Sequence, residues 1–368
     1  MEQNRRKWLK NAGAVLLGLG LSRVSSIAAP MKLISLPHDT AEKIARLSSN
    51  ENPYGPSAMA RAAMAETISL SNRYQWQMIQ DLQAAIATKN GLTPGNVLLS
   101  AGSTQMIDAC VQLAATRKGD LILAKPTFSR WTPAAEKAGL RTIAVPLTAD
   151  KRHDLHAMLK AVTPDTRMIY ICDPNNPTGT VADRSELYSF IKEATKKTLV
   201  VVDEAYIDYT GKASVCEFVK ENENLLVIRT FSKIYGMAGA RVGYALAHNK
   251  TIERMGQLQS GANIGVSAVS MAGALASLKD NAFVNDTLIK NERARAYATE
   301  EMERLGIHCI PSSSNFIYFS LLNYKIDFFE RLRAGNIEGT TIFEEDGKWS
   351  RITVGTMEEM QKLISVLG

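Results

Sequence analysis

Four short runs hold the residue types that could do chemistry. The first is Thr230-Phe231-Ser232-Lys233, which follows an apolar run and continues into a glycine-rich stretch from Gly236 to Tyr244 that contains Arg241. A lysine is usually a solvated surface group. In a desolvated or cationic site its pKa falls and it becomes an amine nucleophile. Arg241 could bind a phosphate through a two-pronged hydrogen bond. The second run is Val200-Val201-Val202-Asp203-Glu204-Ala205-Tyr206, where an acid ends a fully apolar segment. Buried alone, that carboxylate would be costly and would need a permanent cation. As a plain structural feature it would be a helix N-cap. The third run, Asp173 to Thr180, reads Asp-Pro-Asn-Asn-Pro-Thr-Gly-Thr and on composition alone is a turn. The fourth, Leu99 to Gln105, places Gly102, Ser103 and Thr104 before a helical pattern. Free N–H groups at a helix start suit a phosphate.

These runs must be positioned by a repeating framework. Val97–Ser100, Leu121–Ala124, Thr142–Val145, Arg167–Ile171, Leu199–Val202 and Leu225–Arg229 are short strand-like runs. Helical patterns fall between several of them, at Asp81–Lys89, Thr104–Leu113 and Ser185–Ala194. Strand–helix alternation predicts an α/β fold: a mostly parallel sheet with helices on both faces and its ligands at the carboxyl ends of the strands. From 266 the pattern changes. A long helical stretch from Ser267 to about Leu305 precedes strand-like runs at Asn315–Ser320, Thr340–Phe343 and Arg351–Val354, then a closing helix from Glu358. The expected organisation is a leader over 1–29, an extended arm over 30–60, a large domain over 61–265 and a smaller α+β domain over 266–368.

The 368 residues carry a formal charge of +6, with 45% apolar and 22% charged residues, as suits a globular enzyme. Much of the positive charge sits in the leader, on Arg5, Arg6, Lys7, Lys10 and Arg23. No basic run with interleaved aromatics marks the body, so nucleic acid is not an expected partner. Cys110, Cys172, Cys216 and Cys309 lack metal-ligand spacing; buried free thiols are expected, and no metal site. In the leader a basic segment, the apolar run Ala12–Leu21 and a small-residue stretch ending Ala28-Ala29-Pro30 follow one another. The paired arginines resemble a twin-arginine (Tat) export signal, which carries folded proteins across the membrane. The alternatives are a Sec signal or an uncleaved anchor. The expected location is periplasmic.

Taken together, the four runs resemble the fold-type-I enzymes that use pyridoxal 5'-phosphate (PLP), the class I/II aminotransferases. The likeness is strongest to histidinol-phosphate aminotransferases. It is carried by Asn50-Glu51-Asn52-Pro53-Tyr54-Gly55-Pro56, the Asn-Asn-Pro-Thr-Gly run, Phe231 to Arg241, and Arg351-Ile352-Thr353-Val354-Gly355, and it spans about residue 45 to the end. The resemblance implies a large PLP-binding domain and catalytic roles for Lys233, Asp203 and Tyr206. Lys233 would hold the cofactor as a Schiff base and later move a proton. Asp203 would pair with the pyridine nitrogen, and Asn176 and Tyr206 with the phenolic oxygen. Phe128 would stack on the ring. Gly102, Ser103, Thr104, Ser232 and Arg241 would form the phosphate cup, with Thr230 a weaker member. Asn52, Tyr54, Asn176 and Arg351 would contact substrate, Arg351 gripping its acidic end. Tyr74 would reach the cofactor phosphate of a second subunit, which implies a homodimer. The partners implied are a small-molecule amino donor and a 2-oxo acid acceptor.

Two departures bear on the substrate. The family usually reads Arg-Tyr-Pro-Asp where this chain has Arg73-Tyr74-Gln75-Trp76. Relatives that use histidinol phosphate tend to carry a second arginine where this chain has Phe343, followed by Glu344, Glu345 and Asp346. The expectation is weaker binding of a phosphorylated or dianionic donor. The main expectation is an aminotransferase. A PLP-dependent decarboxylase, racemase or lyase on the same fold, and an exported non-catalytic binder, remain alternatives.

Overall fold

The structure is a computed structural model, described here for residues 44–258 and 263–368. The leader and the first part of the expected arm, to residue 43, lie outside the described residues. The described residues belong to one compact unit.

The chain enters through a short strand, β1 (Ala45–Arg46), and a helix from Ala58 to Thr67 whose first turn is capped by the Ser57 hydroxyl. Seven strands then build the main sheet: β2 (Val97–Ser100), β3 (Gly119–Lys125), β4 (Leu140–Pro146), β5 (Thr166–Cys172), β6 (Leu199–Asp203), β7 (Leu225–Thr230) and β8 (Gly243–Ala247). Their order is β2-β8-β7-β6-β5-β3-β4. All neighbouring pairs are parallel except those of β8, which runs against both β2 and β7. The sequence reading omitted β8, because its glycine-rich approach hid a strand. Gly243 has a physical reason to be glycine. A Cβ there would stand 2.8 Å from the Gly102 carbonyl carbon and the Ser103 nitrogen, so only a bare backbone lets β8 pass beneath that turn.

Strands β5, β6 and β7 are apolar almost throughout and buried on both faces, as a doubly covered parallel sheet requires. One core layer lies on each side. The larger includes Ile169, Val200, Val202, Val227 and Phe231; the other includes Met106, Cys110, Tyr170, Val201 and Ile228. All four cysteines are free and buried.

A second sheet of four antiparallel strands, order β12-β13-β10-β9, comes from β9 (His308–Ile310), β10 (Phe316–Ser320), β12 (Ile342–Glu344) and β13 (Trp349–Thr353). Between them β11 (Ile337–Glu338) pairs in parallel with β1. The entering segment is thus part of the small layer, and Ala45 and Leu47 sit in its core with Ile317, Phe319, Ile352 and Leu363. Over its described part, 44–60, the expected arm is packed into the small layer and begins the helix Ala58–Thr67.

The expected long helix is two helices, Ala268–Lys279 and Asn281–Arg304, divided at Asp280, whose side chain caps the second through the Phe283 N–H. The first of the pair belongs to the large layer. Val266, Met271 and Ala274 join the main-sheet core, and a Cβ on Gly273 would press on Met64 and Met237. The expected boundary at 266 therefore moves to about 280 in packing terms.

Candidate active site

The carboxyl ends of β2, β5, β6 and β7 lie side by side, because register pairs Cys172 with Asp203, and Ser100 and Thr230 both with Gly243. The runs singled out in the sequence follow directly from those ends.

Asp203 closes β6 and is buried. Its Oδ2 accepts a hydrogen bond from the Tyr170 hydroxyl at 2.8 Å, and its Oδ1 one from the Ala205 N–H at 3.1 Å. Burial pushes its pKa up to about 6, with both hydrogen bonds and the nearby Lys233 charge pulling the other way. Lys233 follows β7. Its Nζ donates to the carbonyls of Ser49 and Asn50, each at 3.1 Å, and lies 5.4 Å from the centre of the Tyr206 ring. Burial, then repulsion from Arg351, lowers the amine to about 8, while Glu51 and Asp203 oppose the shift and Arg241 adds to it.

Tyr206 is buried edge-on to Phe316, ring centres 5.1 Å apart. Its hydroxyl oxygen accepts from Asn50 Nδ2 at 3.0 Å and from Asn176 Nδ2 at 3.3 Å. Burial raises its pKa, so it stays a phenol and its own O–H remains to be donated. Asn176 also accepts from Arg351 Nη1 at 2.6 Å, and Arg351 Nη2 donates to the Ser48 carbonyl at 2.6 Å. The Arg351 guanidinium carbon lies 5.4 Å from the ring centres of both Phe316 and Phe343. Its Nε has no partner, and no carboxylate among the described residues comes within salt-bridge reach. Burial lowers its pKa, with the charge of Arg130 adding to the effect.

At the other end of the cluster, Gly102 has φ 87° and opens the helix Ser103–Ala114 with no side-chain cap, so first-turn N–H groups are left for a ligand. A Cβ on Gly102 would collide with the Arg241 guanidinium. Arg241 adopts a left-handed φ of 54° and donates to the Ala238 carbonyl at 2.8 Å and to Ser232 Oγ at 3.4 Å. Thr230 supports Ser232 from behind, its hydroxyl donating to Ser232 Oγ at 2.8 Å. Ser103 and Thr104 take the first two helical positions. Phe128 sits half-buried in the turn after β3, which Thr127 ties to Asn175 at 2.7 Å.

Three expected residues stand apart from this cluster. Asn52 is spent on the backbone, bonding the Ile234 carbonyl at 2.8 Å and the Tyr54 N–H at 3.0 Å. It pins the turn after Lys233 and has a structural reason for its place. Tyr54 turns toward Lys290, 5.0 Å from its ring, and toward the carboxylates of Glu358, Asp286 and Glu359. Among the described residues, neither side chain is hydrogen-bonded to Arg351. Tyr74 is 78% exposed and stacks on Trp76 at 5.4 Å. Conversely, Asn50, Tyr170, Phe316 and the Ser48 and Ser49 carbonyls belong to the site and were not singled out. Asn50 has a left-handed φ of 53° while buried, a conformation asparagine tolerates better than most residues, and φ is invisible in sequence.

An uncapped helix start beside an arginine, a buried carboxylate with no ion-pair partner among the described residues and a buried lysine whose pKa is lowered together fit a molecule with a phosphate, a ring nitrogen that can carry a proton, and an aldehyde. The sequence profile described as aminotransferase class I and II matches residues 42–367. The chain belongs to this family. Its cofactor is pyridoxal 5'-phosphate, and it is a PLP-dependent aminotransferase. Among its relatives, the histidinol-phosphate aminotransferase of Moorella thermoacetica is 34% identical over 88% of this chain and 84% of that protein. Histidinol-phosphate aminotransferase 1 of Bacillus thuringiensis subsp. konkukian is 35% identical over 88% of each. The crystal structure of the histidinol-phosphate aminotransferase from Sinorhizobium meliloti, in complex with PLP, superposes with a TM-score of 0.82 at 25% identity, over 89% of this chain and 90% of that one.

Proposed function

We propose that this aminotransferase takes its amino group from an amine or amino acid bearing one anionic group, and passes it to a 2-oxo acid whose carboxylate is held in the same place. The observation that carries this is the Arg351 guanidinium, buried against the Phe316 and Phe343 rings with no carboxylate partner among the described residues and with Nε unpaired. A buried cation is costly unless an anion completes it, and a ligand carboxylate would do so. Phe343 covers one face of this group, where relatives that use histidinol phosphate tend to carry a second arginine. The first of the three acids beside it, Glu344, is already engaged: it pairs with Lys151 at 2.8 Å and accepts from the Tyr318 hydroxyl at 2.6 Å. The wall beyond Arg351 is therefore aromatic.

Bound PLP supplies an electron sink that lets the bond between the donor's α-carbon and its hydrogen break. The chain does the rest. Lys233 accepts and returns that proton at Nζ, and a pKa near 8 suits both directions at neutral pH. Asp203 would hold a proton at the ring nitrogen. Tyr206 would donate to the phenolic oxygen, held for that by Asn50 and Asn176. The N–H groups at Gly102, Ser103 and Thr104, with Ser232 and Arg241, would hold the phosphate, and Phe128 would cover the ring.

The test follows the visible absorbance of the purified holoenzyme. Donors should bleach it and a 2-oxo acid should restore it. We expect monocarboxylate amino acids to react faster than histidinol phosphate, the compound in the relatives' names. The reverse order would overturn this choice of donor.

We also propose a homodimer in which Tyr74 completes the other subunit's phosphate site. Supporting it, Ile68, Leu70, Tyr74 and Trp76 form an exposed apolar run. A monomeric mass at full activity would refute it. Export through the Tat-like leader is proposed from its sequence alone. Replacing Arg5 and Arg6 by Lys should retain the protein in the cytoplasm.

A further inference from the structure

Tyr170 lies near the middle of β5 between Ile169 and Ile171, and is completely buried. Trp131 packs edge-on against its ring at 4.9 Å. Phenylalanine would fill the same space without burying a hydroxyl, so a tyrosine here needs a polar reason. The hydroxyl donates to Asp203 Oδ2 at 2.8 Å, across to the adjacent strand, where register pairs Tyr170 with Val201 and Cys172 with Asp203. A donor aimed at a buried carboxylate favours its ionised form and fixes which way its oxygens point.

We propose that Tyr170 is a positioning residue for the cofactor, whose O–H···Oδ2 bond keeps Asp203 ionised and aimed so that the carboxylate meets the cofactor's ring nitrogen as an anion. The inference rests on Asp203 being the ring-nitrogen partner. The Ala205 N–H donates to the other oxygen, Oδ1, at 3.1 Å and leaves Oδ2 to Tyr170; the remaining groups facing Asp203 do not replace this bond. Cys172 on β5 and Cys110 on the helix Ser103–Ala114 are buried thiols held protonated, and Tyr206 is a phenol. Glu204 is a like charge, engaged with Arg229 at 3.0 Å. Lys233 is the facing cation, and it becomes the cofactor's anchor.

The experiment measures PLP affinity by fluorescence titration of the apoenzyme from pH 6 to pH 9, for the wild type and for Tyr170→Phe. Removing a donor to the carboxylate raises the pKa of Asp203. The ratio of variant to wild-type dissociation constants should therefore be about tenfold at pH 6, the scale of one hydrogen bond to a charged group, and should approach one at pH 9, where Asp203 is ionised in both. Site-specific 3-fluorotyrosine at 170, a stronger donor of nearly the same shape, should shift the dependence the opposite way. In an Asp203→Asn background, Tyr170→Phe should have no further effect. A loss equal at every pH, or one that persists in the Asp203→Asn background, where a neutral amide replaces the carboxylate, would mean that Tyr170 serves packing only. No loss at pH 6 overturns the proposal outright. If Asp203→Asn alone left PLP affinity and its pH dependence unchanged, the assignment of Asp203 would fail instead.

Discussion

The carboxyl end of the main sheet and the inner face of the small sheet meet at Asn176, which bonds Tyr206 on one side and Arg351 on the other. The first region presents Asp203, Thr230 and Lys233 from the ends of adjacent parallel strands, each within a few residues of an apolar run. The second presents Phe316, Tyr318, Trp349, Arg351 and Thr353 from one face of two antiparallel strands, where cross-strand partners point the same way. It is completed by Phe343 and by the Ser48 carbonyl, 303 residues from Arg351. Their buried charges differ as well. At the main sheet, Arg229 pairs with Glu204 at 3.0 Å, and Arg184, at the start of the helix Arg184–Ala194, pairs with Asp173 at 2.7 Å, whereas Arg351 has no carboxylate within ion-pair reach among the described residues. A buried cation that has its acid is accounted for by the fold; one that lacks it is the natural candidate for a ligand's anion.

The largest effect should come from the sheet end. Lys233→Ala should lower single-turnover transamination by about ten-thousandfold, since the proton at the α-carbon loses its carrier. Comparable turnover in that variant would move the chemistry elsewhere. Next comes the small sheet. Arg351→Gln should reduce kcat/KM for carboxylate donors about 100-fold, the range for removing one partner of a buried charge pair, and should barely affect an amine lacking a carboxylate. Equal losses for both would make Arg351 structural.

The two regions are also coupled by charge. The neutral amine of Lys233 is the reactive form, so the rate of holoenzyme formation should climb about tenfold per pH unit and level off above about pH 8. Arg351 repels the protonated amine, so Arg351→Gln should move that midpoint to higher pH. An unmoved midpoint would show the regions to be electrically independent.

Smaller effects sharpen the division. Gly102→Ala should weaken PLP binding about tenfold, because its φ of 87° is strained for alanine and the new Cβ meets Arg241. Donor preference should stay the same. Phe343→Arg should raise kcat/KM for a phosphorylated donor several-fold, on the order of one added charge-assisted contact, and should leave PLP affinity unchanged.

The candidate cofactor end was partly legible in the chain because Gly102, Asn176, Asp203, Tyr206 and Lys233 lie at or just past strand ends, and apolar runs announce strands. Lys233, Asp203, Gly102 and Arg241 stand out by residue type and place, whereas the roles of Asn176 and Tyr206 follow only from the family resemblance. Tyr170 could not be picked out, since within an apolar strand an aromatic reads as core. Nor could the uses of Asn52 and Tyr54, whose motif is intact while their side chains serve a turn and a helix face. The helix Ala268–Lys279 was assigned to the wrong layer for a similar reason: periodicity shows that a face is apolar without showing what covers it.

The sequence by itself determined the strand–helix alternation, the family and the strand ends where the candidate cofactor residues stand, because local runs of residue types carry all three. Only the tertiary structure decided that Ser48, Asn176, Phe316, Phe343 and Arg351 meet, that Asp203 has a phenol behind it, and that, among the described residues, the buried Arg351 has no acid within ion-pair reach. Those facts depend on register between strands and on packing between layers far apart in sequence, and no local pattern encodes the distance between them.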